Sequence, residues 1–122
     1  MHQLLKARAC AELGKLFQLA VDGVPALTMP SKAIDLVWHG MLHNREAYER
    51  FSIEACGRVV EHRSSRGAGP VTWVAEYEGR FGKLDPIWFT DDKSMLDTDA
   101  YDQYLATGQF KASWDCSPGD GE

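Results

Sequence analysis

The sequence predicts an all-α protein: one compact domain, a bundle of about five helices with no substantial sheet. Three observations lead there. Apolar residues recur at helical spacing over 2–21, 31–43, 45–56 and 71–81. No run alternates apolar and polar residues for long enough to build a sheet. The length of 122 residues gives one core and no room for a second. The domain is expected to span 1–116, and Ser117-Pro118-Gly119-Asp120-Gly121-Glu122 reads as a disordered polar tail.

In the first helix, Leu5, Ala9, Leu13, Leu16 and Ala20 share a face, with Phe17 one turn after Leu13. Gly14 should weaken it by ~1 kcal/mol relative to Ala. Asp22-Gly23-Val24-Pro25 stops it, because Pro25 cannot continue the hydrogen-bond ladder. Thr28-Met29-Pro30-Ser31 opens a second helix, through a hydroxyl cap and a proline suited to a first turn. That helix carries Ile34, Val37, Trp38, Met41 and Leu42 toward the core and is expected to reach His43. Asn44 caps a third helix with Tyr48 and Phe51, ended by Gly57.

Ser64-Ser65-Arg66-Gly67-Ala68-Gly69-Pro70 reads as a loop. Trp73, Tyr77 and Phe81, spaced by four, make the next helix, closed by Gly82. Asp85-Pro86 starts a turn or short helix with Ile87, Trp88 and Phe89. Thr98 is the expected cap of a last helix running to Gly108. The predicted core is Trp38, Tyr48, Phe51, Trp73, Tyr77 and Phe81. Of four tryptophans most should be buried, and an exposed one would mark a binding surface.

The chain is 44% hydrophobic and 25% charged, as in soluble globular proteins. No apolar run approaches the roughly 20 residues that span a bilayer, so no membrane role is expected. A net charge of −5 argues against general binding to nucleic acid or anionic membranes. A partner would then be a protein, either another chain or a second copy. Cys10, Cys56 and Cys116 lie far apart with no CxxC pair, a poor disulfide framework that points to a reducing, cytoplasmic setting. Cys10 and Cys56 are expected to be buried free thiols.

Asp35, His39 and His43 lie four apart on the second helix and form one stripe beside its apolar face. Imidazole and carboxylate one turn apart can converge on a divalent ion. Glu46 would extend the stripe if the helix continued. His62 falls in the same 24-residue window as His39 and His43, and turn signals at Asn44 and Gly57 let it fold back. The candidate metal set is therefore Asp35, His39, His43 and His62. Imidazole ligands suit zinc, nickel or cobalt, whereas magnesium and calcium prefer oxygen shells. Position 40 is Gly, so the pair lacks the glutamate base of HExxH metalloproteases. The competing reading is a structural polar network, with Asp35 accepting from His39, in a non-catalytic interaction module.

Pro30-Ser31-Lys32-Ala33-Ile34-Asp35-Leu36-Val37-Trp38-His39 resembles a segment of the glycine-rich domain-containing protein family of plants and its small bacterial relatives. Arg45-Glu46-Ala47-Tyr48 and Gly57-Arg58-Val59-Val60-Glu61-His62 are similar to further elements of that family, and the likeness centres on residues 30–62. Tyr77 to Gly82 and Ile87-Trp88-Phe89 look like a second shared element. The resemblance implies that Asp35, Trp38, His39, His43 and His62 belong together. Met41 stands where plant members carry a second histidine, Glu61 replaces one of a His-His pair, and no glycine-rich tail follows.

Arg58, His62, Arg63 and Arg66 form a basic cluster that could bind phosphate or RNA. Interleaved Glu54 and Glu61 favour a solvated, salt-bridged face instead. The run Asp91, Asp92, Asp97, Asp99 and Asp102 lacks the Gly and terminal Glu of a calcium loop; Asp97 and Asp99 suit a helix N-terminus.

Overall fold

The computed structural model describes residues 2–119. Five α-helices and one short 3-10 helix occur among them: α1 (Gln3–Val21), α2 (Lys32–Met41), α3 (Arg45–Cys56), α4 (Val74–Phe81), the 3-10 helix Pro86–Phe89, and α5 (Thr98–Thr107). Two strands complete the fold, β1 (Glu61–Pro70) and β2 (Lys111–Gly119). They pair antiparallel, from Glu61 opposite Gly119 to Pro70 opposite Lys111. The all-α prediction is thus overturned: the protein is helical with a two-stranded sheet.

The helix boundaries follow the local chemistry. Ser31 Oγ accepts from the Ile34 N–H and caps α2, and Asn44 caps α3 through the Ala47 N–H. Gly57 ends α3 at φ 88°, a left-handed conformation open to glycine at little cost. Asp97 caps α5 through the Ala100 N–H, and Thr98 is the first helical residue rather than the cap.

The expected loop at 64–70 is most of β1, and residues 117–119 of the expected tail belong to β2. Residues 120–122 lie outside the described part. Gly, Ser and Pro are poor strand formers, so β1 exists through its partner rather than through propensity. One extra residue sits in β1 between Ser64 and Gly67, a bulge that bends the pair. Beyond the bulge Trp114 lies on Gly67, where an added Cβ would come within 2.7 Å of the indole.

Helix α1 is the centre of the core. Phe17 sets its ring edge-on to Trp38, Tyr48 and Phe51, with centroids 5.5, 6.3 and 5.9 Å apart. On another side of α1, the buried Glu12 carboxylate accepts from Tyr77 Oη and from Trp88 Nε1, and pairs with Lys15. Burying a carboxylate is costly unless its acceptor sites are filled; here three donors fill them. Of the predicted core, Trp38, Tyr48, Trp73 and Tyr77 are fully buried, while Phe51 and Phe81 pack at its margin. Phe17, Trp88, Tyr104 and Phe110 are further buried aromatics beyond the six predicted. No helix among the described residues is long and apolar enough to cross a membrane.

Candidate metal centre

Three elements meet at one point. Helix α2 presents Asp35 and His39 one turn apart, β1 presents His62 in its first residues, and β2 presents Cys116. Their ligand atoms all lie within 4.8 Å of one another. His39 Nε2 is 3.2 Å from Asp35 Oδ1 and 3.1 Å from His62 Nε2. The Cys116 thiol donates to the same Asp35 Oδ1 at 2.9 Å.

Each donor is held by a chain of contacts. The Ser31 hydroxyl that caps α2 donates to the Ile87 carbonyl at 2.8 Å, fixing the helix start on the 3-10 segment. The Met29 N–H donates to the Cys116 carbonyl at 3.1 Å, so the approach to α2 also anchors β2 at Cys116. The return from α3 is pinned twice by Ser52, whose hydroxyl donates to the Arg58 carbonyl at 2.7 Å and accepts the Val60 N–H at 2.8 Å. Tyr48 donates to the Val60 carbonyl and accepts from Trp38 Nε1. His62 then rests edge-on against Trp38, with centroids 4.7 Å apart.

The electrostatics differ across the group. Burial pushes the Cys116 thiol far above its ordinary range, and its hydrogen bond to Asp35 pushes the same way, so the sulfur is protonated at neutral pH. Burial, and then the neighbouring His39, hold the His62 imidazole below its usual value. The geometry agrees, because two rings facing Nε2 to Nε2 cannot both carry a proton there. The Cys116 residue is 1% exposed, whereas the His39 side chain is 53% exposed, so the group opens to solvent on the α2 side.

The four groups lie close enough together that they could hold a metal ion. Zinc bonds of about 2.0–2.3 Å in a tetrahedron place ligand atoms about 3.3–3.8 Å apart. Separations of 2.9 to 4.8 Å need only small side-chain adjustments to reach that spacing. One thiol, two imidazoles and one carboxylate are donors that zinc accepts together.

Asp35, His39 and His62 from the sequence-derived set are brought together; His43 is not in the group. Helix α2 stops at Met41, and His43 sits exposed in the turn that leads to the Asn44 cap. The stripe therefore breaks before its third member. Glu46 is exposed and paired with Arg50 within α3. Cys116 was missed because no spacing links it to the histidines. A signal did exist, since Ala112, Trp114 and Cys116 alternate with the exposed Lys111, Ser113 and Asp115. The expectation for the other thiols is also corrected: Cys10 and Cys56 are partly exposed, and Cys116 is the buried one.

Searches against protein-family models, curated proteins and solved structures return no match for this chain.

Proposed function

We propose that the protein binds one transition-metal ion, zinc by preference, through Asp35, His39, His62 and Cys116. The observation that carries this reading is the convergence of four donor atoms, from three elements, within 4.8 Å. The likeness of residues 30–62 to the glycine-rich domain-containing family supports it, since it selects Asp35, His39 and His62 together, along with Trp38 and His43. Four protein donors complete a tetrahedron, which is the pattern of a structural rather than a catalytic zinc site. The ion would hold α2 against both strands and set their relative position.

A second reading rests on a separate observation. Every buried side-chain nitrogen and oxygen among the described residues has a hydrogen-bond partner. The same four residues then form a self-sufficient polar network that ties helix to sheet in a non-catalytic interaction module. One experiment separates the two. The untagged protein is purified, its metal content measured, and the metal-free form titrated with zinc at pH 7.5 by calorimetry and thermal melting. The metal reading expects one ion per chain and a higher melting temperature. A ligand at 100 times its Kd stabilises by about 2.7 kcal/mol if it binds only the folded state. Absence of both heat and melting shift at stoichiometric zinc would leave the polar network as the function of these residues.

A further inference from the structure

A groove of about 580 Å³ lies beside the sheet, between the turn after α1 and the faces of β1 and β2. The proposed metal reading does not use it. Its lining includes Arg58, Arg63, Ser65, Thr72, Trp114 and Ser117. Its volume falls in the range of small-molecule sites, about 300–1,000 Å³.

The charge pattern there is unlike the rest of the molecule. Arg8, Arg45, Arg50, Arg66 and Arg80 each hold a carboxylate. Arg58 holds none among the described residues, and no Asp or Glu among them lines the groove. Around the basic cluster, Glu61 turns to Arg45, and Asp115 takes Arg66.

The tryptophans differ in the same way. Trp38, Trp73 and Trp88 are fully buried, and each indole N–H has an acceptor. Trp114 is half-buried, and its N–H has no acceptor among the described residues. The hydroxyls of Ser65, Thr72 and Ser117 likewise make no side-chain hydrogen bond among them. Ala26, also in the lining, holds φ 58°, a conformation that costs a non-glycine residue about 1–2 kcal/mol.

We propose that this groove binds a small phosphate ester carrying a flat ring, of the size of a nucleoside monophosphate. Arg58 offers the planar fork that pairs with phosphate. The three hydroxyls supply neutral donors and acceptors for the phosphate or a sugar. Trp114 offers an aromatic surface on which a flat ring can stack. A ring-free anion would leave the tryptophan and most of the volume unused.

The test uses adenosine 5′-monophosphate as the probe, with adenosine and inorganic phosphate as separate arms, on the full chain at pH 7.5. Calorimetry reads binding. Acrylamide quenching of fluorescence reads the site, because the other three tryptophans are sealed from the quencher. The expected result is saturable binding of the monophosphate with Kd below about 1 mM, and protection of Trp114 from quenching. Arg58→Gln should weaken it about tenfold with an unchanged melting temperature, while Arg50→Gln on exposed α3 leaves it intact. His39→Ala should also leave it intact, which separates this groove from phosphate captured at the metal centre. No saturable binding, equal binding of phosphate or adenosine alone, or insensitivity to Arg58→Gln would each overturn the proposal.

Discussion

A thiol that is 1% exposed and bonded to a carboxylate behaves unlike a cysteine on the surface. In the metal-free protein Cys116 keeps its proton and donates it to Asp35. If the proposed ion binds, the sulfur has to become a thiolate. Cys116→Ser keeps the shape and the donor to Asp35 but removes the soft ligand. We expect it to weaken zinc binding at least about a hundredfold, read by competition with a chromophoric chelator, with little change in metal-free stability. His43→Ala is expected to leave zinc affinity unchanged, because that residue sits outside the donor group. A large loss on His43→Ala would restore the sequence-derived set of Asp35, His39, His43 and His62.

At the scale of elements, β1 depends on its partner more than any helix does. Gly67 has no Cβ, and the indole of Trp114 occupies the place where one would lie. Gly67→Ala forces either the indole or the strand to move. We expect a loss of about 1–3 kcal/mol, the usual range for overpacking, measured by urea unfolding. Gly69 has φ 139° but nothing near its missing Cβ, so its substitution strains the backbone without displacing the ring. The helices were legible in the sequence because periodicity and caps are local: Ser31, Asn44 and Gly57 each mark a boundary that the structure keeps. The sheet was not, because a Gly-Ser-Pro segment pairs here with a strand at least 41 residues away. The same physics divides the site. Asp35 and His39 share a helix turn and could be found by counting, whereas Cys116 reaches them only once the strands pair.

For the whole molecule, proton exchange connects the site to pH. Burial and the Asp35 bond hold the Cys116 thiol protonated through the neutral range, so zinc must expel that proton to bind. Apparent affinity is then expected to rise about tenfold per pH unit between pH 7 and 9, and the calorimetric heat should scale with the ionisation enthalpy of the buffer. The sign is fixed: protons compete with the ion, so binding weakens as pH falls. His62, held below the ordinary histidine range by burial and by His39, adds its competition only in more acidic solution. A flat affinity profile from pH 7 to 9 would mean that Cys116 is not a ligand.

The pairing of β1 with β2 also sets an order of assembly. Residues 71–110, with α4, the 3-10 segment and α5, lie between the two strands. Closing a loop of that length costs on the order of 3 kcal/mol in chain entropy before any contact repays it. The contact of Phe17 with Trp38 closes a shorter loop, and those of Phe17 with Tyr48 and Phe51 close loops only slightly shorter than the one between the strands. His62 and Cys116 meet only when the two strands pair. A chain whose two halves have docked wrongly presents at most three of the four donors, so completion of the donor set is itself a report that folding has finished.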